Sequence, residues 1–340
     1  MSTAATMPAV VLGTRRHITL AKWPVPQPRP DQVLIEVDLC GICGSDLHSP
    51  DLPQVYRGGF VLGHEPSGTV SWVGGAVDGW EDGQRVAVNP NGNVCGSCEY
   101  CRAGRPNFCH QATMETAIGL QADGALAPVM AVSPKNLRRL PHNMGRIEAA
   151  WIEPAATALR AVEMAGDLAG RTVLVTGGGP IGQLACRIAW HRGAGQVFLV
   201  EPAAERRRFA GASHAELALA GPEASQKARD LRIDVAIECS GSAAAAALAV
   251  DALLPGGILV VVGAGTGPGL EPTAILLKEL TVRGSFTYTD EFDRAIDLLH
   301  SGAIEVADLT TAVVPLQDTL DAFRSLRAAQ TMKVLVAPNG

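Results

Sequence analysis

Short, wholly apolar runs recur through the middle of the chain, with stretches of helical period between them. VLVT (173–176), VFLV (197–200), VAIE (235–238) and ILVVV (258–262) have the length and content of strands buried on both faces. After the first of them, Ile181, Leu184, Ala185, Ile188 and Ala189 fall at i, i+3, i+4, i+7 and i+8, a single apolar helix face. This alternation predicts a parallel α/β sheet over 155–285. Residues 1–154 have another texture. VLIEV (33–37), GTVSWVG (68–74) and RVAV (85–88) are separated by Gly- and Pro-rich turns, which predicts an antiparallel, barrel-like β domain. Beyond 285 the pattern changes again. Phe292, Ala295, Ile296 and Leu299 share one helix face that stops at Ser301–Gly302.

Length and composition limit the function. A chain of 340 residues exceeds what one core usually serves, so two domains are expected. A net charge of −6 provides no general attraction to nucleic acid or anionic lipid, and neither is expected as a partner. The densest apolar run, GGILVVVGAG (256–265), is far shorter than a membrane span. The opening MSTAATMPAVVLG lacks the basic and apolar regions of a signal peptide, so a cytoplasmic location is expected. Eight cysteines in such a protein read as metal ligands and buried thiols rather than a disulfide framework.

Four of these cysteines, Cys95, Cys98, Cys101 and Cys109, are spaced C-x2-C-x2-C-x7-C within a segment holding Gly96, Gly104 and Pro106. Such a segment cannot bury enough surface to offset its chain entropy, and four thiolates closed around Zn²⁺ supply the missing cross-link. A closed shell leaves no position for substrate, so this site is expected to be structural.

A second metal site is expected from LCGICGSDLH (39–48) and GHEPSG (63–68). A catalytic zinc takes about three protein ligands and keeps one position open. Cys43 and His64 are suitable donors, and either Glu65 or Glu153 could complete the set. Ser45 and His48 could carry a proton from a zinc-bound hydroxyl to solvent. Asp46 could orient a ligating imidazole, or simply cap a turn.

Gly177-x-Gly179-x-x-Gly182 sits between a predicted strand and an amphipathic helix that begins with Pro180 and Ile181. In that context the glycines indicate a dinucleotide site, with pyrophosphate at the helix N-terminus. Glu201, at the end of the next strand, suits the adenosine ribose hydroxyls and would repel a 2′-phosphate, which favours NAD over NADP. The run Arg206, Arg207, Arg208 works against that preference, because one of them could reach a phosphate.

Taken together, GICGSDLH, GHEPSG, the four-cysteine lobe, IEPAATALRAV (152–162), VTGGGPIG, IECSG (237–241), VVVGAG (260–265) and MKVLV (332–336) resemble the zinc-dependent medium-chain dehydrogenases/reductases. The similarity is greatest to the polyol branch of sorbitol, threonine and butanediol dehydrogenases. It implies a GroES-like catalytic domain (1–154), a Rossmann domain (155–285) and a segment (286–340) that rejoins the first domain. It also implies zinc on Cys43 and His64 with Glu65, Glu153 or both, Cys40 as a buried neighbour, and Ser45 and His48 as a proton relay. Backbone around Val262–Gly263 and Ser285–Phe286 would lie near the nicotinamide carboxamide. A carboxylate at Glu153, where classical alcohol dehydrogenases have cysteine, shifts the expected substrate from primary alcohols toward polyols.

The implied activity is reversible oxidation of a secondary alcohol (polyol, sugar, cyclitol, aminosugar or amino alcohol) to its ketone. It would use two zincs per chain and NAD in a homodimer or homotetramer. Two alternatives stand beside it: a biosynthetic NADPH-dependent carbonyl reductase on the same scaffold, and a non-catalytic NAD-binding scaffold with structural zinc only. The candidate substrate-facing groups, 49–60, Met114, Ile118 and Phe286, carry no distinctive charge clamp.

Overall fold

The computed structural model describes residues 5–53, 55–220, 224–265 and 270–340. Gln54, inside the 49–60 segment, lies outside the described residues, as do the first four positions. The chain divides into two compact units, Met1–Glu153 with Glu305–Gly340, and Pro154–Ile304.

The first unit is built from β1 (Thr6–Leu12), β2 (Ile18–Pro24), β3 (Val33–Gly41), β4 (Phe60–Val61), β5 (Glu65–Val73), β6 (Arg85–Val88), β7 (Val129–Val132) and β8 (Leu137–Arg139). Two strands from the chain end join them. In β3, Val33, Ile35 and Val37 are buried while Glu36 is exposed, the alternation of a sheet with one face on a core. β3 pairs antiparallel with β5, β7 and the last strand of the chain, so its end lies within the sheet rather than at an edge. Val10, Leu12, Ile35, Leu62, Val70, Val86 and Leu126 form part of the core beneath it.

The second unit contains β9 (Thr172–Thr176), β10 (Gln196–Val200), β11 (Leu217–Leu219), β12 (Ile233–Glu238), β13 (Leu253–Val261) and β14 (Thr281–Gly284). They form a parallel sheet in the order β11-β10-β9-β12-β13-β14. The order reverses between β9 and β12, the switch point where open α/β sheets bind ligands at the carboxyl ends of their strands. Helix Pro180–His191 buries Leu184, Ala185, Ile188 and Ala189, the face read from the sequence.

Residues 286–304 differ from the expectation that they belong to the returning segment. Helix Glu291–His300 clusters with the second unit, where Arg294 clamps Glu163 through two bonds of 2.6 Å and Arg160 meets Glu291 at 3.0 Å. The texture change at 285 marks the end of the parallel sheet, not the end of the unit. The chain re-enters the first unit from Glu305, adding β15 (Thr310–Pro315) and β16 (Lys333–Ala337) as a parallel pair.

Candidate active site and cofactor edge

β3 and β5 bring the proposed ligands together. Their antiparallel register sets Gly41 opposite Glu65 and Cys40 opposite Pro66. Cys43 lies two residues past the end of β3, just before the short helix Gly44–His48. One donor atom from each of Cys43, His64 and Glu65 lies within 4.8 Å of the others. His64 and Glu65 are buried and Cys43 is half-buried. Sulfur, imidazole nitrogen and carboxylate oxygen at this separation fit a tetrahedral Zn²⁺ with a position to spare. Glu153 is half-buried and stands outside this three-donor group.

The surroundings of the three donors are organised by charge. Asp46, fully buried, accepts from the Cys43 backbone N–H at 3.1 Å through Oδ2. Its Oδ1 is 3.3 Å from His64 Nδ1. That distance is short enough for attraction, but alignment fails, and Nδ1 has no hydrogen-bond partner among the described residues. We read the contact as electrostatic; it turns Nδ1 toward Asp46 and leaves Nε2 for a metal. Burial alone would lower the pKa of His64, but the charges of Asp46 and Cys43 carry it well above the ordinary value.

On the other side of Glu65, Lys333 of β16 pairs with Oε2 and donates to the Ile42 carbonyl at 3.0 Å. Both charged side chains are almost fully buried. Burial works against the ammonium, yet Glu65, Cys43 and Glu153 raise its pKa above normal, so Lys333 stays charged. Gly41 is what makes room for the pair: a Cβ there would meet Glu65 Oε2 at 2.0 Å and Lys333 Cε at 2.9 Å. Cys40, the other half of the C-x-x-C, is fully buried, and burial pushes its thiol well above the usual range.

Ser45 accepts a hydrogen bond of 2.8 Å from the phenol of Tyr56. His48, the other residue expected in a proton relay, is exposed at the end of the short helix. Sequence reasoning covered Tyr56 only as part of the 49–60 segment, with no role of its own, and missed Lys333 as a site residue. No local signal marks a tyrosine in an irregular loop, whereas a lone lysine inside the apolar strand KVLVA was a legible one.

Cys95, Cys98, Cys101 and Cys109 form a second group of donors within 4.8 Å of one another. Backbone N–H groups point at the sulfurs: Cys98 N to Cys95 Sγ at 3.3 Å, Cys95 N to Cys109 Sγ at 3.4 Å, and Cys101 N to Cys98 Sγ at 3.5 Å. Such bonds favour thiolate, and those from Ser97 and Cys98 draw the Cys95 thiol down to about 6. The lobe fits a closed Cys₄ zinc.

The residues expected to bind the dinucleotide lie in the second unit, at the carboxyl edge of its sheet. Thr176, Glu238, Val261 and Gly284 are in register across β9, β12, β13 and β14, so Gly177, Val262 and Ser285 follow at the same edge. Gly177 adopts φ +93°, and its carbonyl oxygen would lie 1.8 Å from a Cβ on Gly182. Gly179 caps helix Pro180–His191, and the nearest atom to a Cβ there is Arg206 Nη1 at 4.0 Å. The open space and the helix N-terminus suit a pyrophosphate. Glu201, buried, accepts from Gly178 N and Ala203 N, both at 2.7 Å. Of the neighbouring arginines, Arg207 is tied to the Glu201 carbonyl at 2.8 Å and Arg208 to Glu205 at 3.3 Å, while Arg206 faces the glycine loop. Gly263 N bonds to the Glu238 carbonyl at 2.9 Å. Ser285 Oγ is buried without a partner among the described residues, and Phe286 is half exposed. A buried unpartnered hydroxyl at this edge fits an amide-bearing ring, so the residues fit NAD.

Known proteins agree with this architecture. The alcohol dehydrogenase GroES-like domain model matches residues 29–142, and the zinc-binding dehydrogenase model matches 180–301. D-xylulose reductase A of Aspergillus oryzae is 35% identical, covering 92% of both chains. The chain belongs to the zinc-binding dehydrogenase family. Among solved members, a protein of Sinorhizobium meliloti 1021 described as a zinc-binding dehydrogenase and bound to NADP is 33% identical. It has a TM-score of 0.89 over 98% of this chain and all of that one. The 2R,3R-butanediol dehydrogenase of Bacillus subtilis is 28% identical, with a TM-score of 0.85 over 98% and 100% of the two chains. This family member is therefore a zinc- and nicotinamide-dependent oxidoreductase of the polyol branch. No helix among its described residues is long and apolar enough to cross a membrane.

Proposed function

We propose that the enzyme interconverts a secondary alcohol of a polyol and the corresponding ketone, using NAD(H). A five-carbon pair such as xylitol and D-xylulose comes first, because D-xylulose reductases are among its relatives. The observation that carries the reading is the buried group of Cys43, His64 and Glu65 donors, with Ser45 close by in sequence and held by a defined partner.

In this account Cys43 and His64 hold the metal, with Glu65 or Glu153 completing its protein ligands. Zinc, when bound, supplies a Lewis acid that stabilises negative charge on the substrate oxygen. Asp46 keeps His64 turned with Nε2 inward. Ser45 takes the hydrogen bond of the substrate hydroxyl, and His48, at the exposed helix end, returns the proton to solvent. The alcohol loses a proton and a hydride, and NAD, when bound, accepts the hydride. Glu201 receives the adenosine ribose hydroxyls, Arg206 and the glycine loop the phosphates, and the edge around Val262, Gly263, Ser285 and Phe286 the carboxamide.

Two further expectations belong here. Cysteines that serve as thiolate ligands suit a reducing, cytoplasmic setting. β14 ends its sheet with all four residues exposed, and Leu276 and Leu277 just before it are 73% and 77% exposed. An exposed edge strand with apolar side chains in the helix before it fits pairing with a second copy, hence a homodimer or a homotetramer.

The test is NADH formation across a panel of secondary polyols, run in parallel with NADP. Turnover on at least one polyol with preference for NAD is expected. A preference for NADPH in the reductive direction, or no turnover in either direction, would replace this reading with its alternatives, the carbonyl reductase and the non-catalytic scaffold.

A further inference from the structure

Tyr56 contributes a fully buried phenol to the active-site shell, though it belongs to no recognised motif. Its hydroxyl is 2.8 Å from Ser45 Oγ and 3.4 Å from Asp46 Oδ1. A phenol has one hydrogen, and the shorter, better bond goes to serine. When Ser45 Oγ accepts that hydrogen, its own hydrogen must point away from Tyr56, so the serine rotor loses one of its orientations.

The loop bearing Tyr56 is tightly held. Arg16 half-encircles it, donating to the Pro50 carbonyl at 2.9 Å and also to the carbonyls of Ser49 and Tyr56. The Tyr56 ring stacks on Phe60 with centroids 6.5 Å apart and planes 16° from parallel. Tyr56 N donates to Leu52 O at 2.9 Å. Three carbonyls gathered by one guanidinium amount to more than solvation of a surface arginine. They fix the backbone from which the phenol reaches Ser45.

The geometry points to Tyr56 as the positioning residue for the Ser45 hydroxyl in the oxidoreductase reaction, with Arg16 holding Tyr56 in place. This rests on the proposed function, because Ser45 must be the group that meets the substrate oxygen. Tyr56 itself touches neither substrate nor metal in this account. By keeping Ser45 in one orientation, it removes the entropy of aligning that hydroxyl when substrate binds.

The test is a double-mutant cycle with Tyr56→Phe and Ser45→Ala, which separates positioning from general stability. Phe fills the same space, so zinc content and fold should persist. Tyr56→Phe alone should lower kcat about tenfold with KM for the alcohol little changed, the size of one uncharged hydrogen bond. In the Ser45→Ala background the same change should cost almost nothing further. Equal losses in both backgrounds would make Tyr56 merely structural and overturn the proposal. If Tyr56→Phe does not fold, Arg16→Gln takes its place, with a several-fold loss expected in the wild-type background and none beside Ser45→Ala. A readout independent of turnover is the Ser45 side chain in high-resolution crystals. It should hold one rotamer in the parent protein and spread over two or more in Tyr56→Phe. A parent protein that oxidises no secondary alcohol would sink the proposed function, and the rotamers would still decide the positioning role. An unchanged single rotamer in Tyr56→Phe would overturn it.

Discussion

Lys333 and Glu65 form a buried ion pair directly behind the candidate zinc ligands, with side chains 1% and 2% exposed. The last strand of the chain thereby reaches the site set up by β3 and β5. Gly41, with no Cβ, is the reason the pair fits. Removing one partner of a buried pair leaves the other uncompensated, at a cost of about 3–5 kcal/mol. Lys333→Met should therefore lower the unfolding free energy by that order, with a matching drop in the denaturant midpoint, and weaken zinc retention at the active site. Gly41→Ala forces a methyl into the carboxylate and should destabilise by about 1–3 kcal/mol. Chemical denaturation with zinc analysis checks both variants, and neutral behaviour of Lys333→Met would remove the pair from the account.

Glu201 carries two duties, accepting from Gly178 N and Ala203 N while presenting its charge to the ribose site. Glu201→Gln keeps an acceptor and removes the charge. The ratio of kcat/KM for NAD to that for NADP should fall by about tenfold or more, mainly through improved NADP binding next to Arg206. Steady-state kinetics with both cofactors decides it.

Cys98→Ser breaks the four-cysteine group without touching Cys43, His64 or Glu65. Zinc per chain should drop from two to one, and stability should fall by about 2–4 kcal/mol. Turnover per folded molecule should change far less than in Cys43→Ser. Metal analysis and thermal unfolding, followed by activity per bound active-site zinc, test the separation.

Cys186 is fully buried, and burial pushes its thiol up to about 12. A raised pKa keeps a thiol protonated up to higher pH, so Cys186 should remain unreactive toward iodoacetamide from pH 7 to 9 in the folded protein. It should label only on unfolding. Mass spectrometry after timed alkylation reads this directly.

How much of this was legible in the sequence varies with the physics of each element. The parallel sheet was readable because strands buried on both faces are apolar throughout, as at 173–176 and 235–238. The cysteine spacing and the glycine loop were readable because their chemistry needs particular residues at particular separations. The end of the second unit was not, because the Arg294–Glu163 and Arg160–Glu291 contacts that tie 291–300 to it join residues about 130 positions apart. Tyr56 reaches its place through tertiary packing with no local pattern that announces a site, whereas Lys333 stands out as a lone charge in the apolar strand KVLVA. Sequence could list Glu65 and Glu153 as rivals, and of the two only Glu65 falls within the three-donor group.

Anomalous diffraction at the zinc edge, from crystals of the protein as purified, tests the central claim most directly. The account expects two peaks per chain, one inside the Cys95–Cys109 lobe and one about 2.0–2.3 Å from both Cys43 Sγ and a His64 ring nitrogen. A single peak in the lobe, with none between Cys43 and His64, would contradict it.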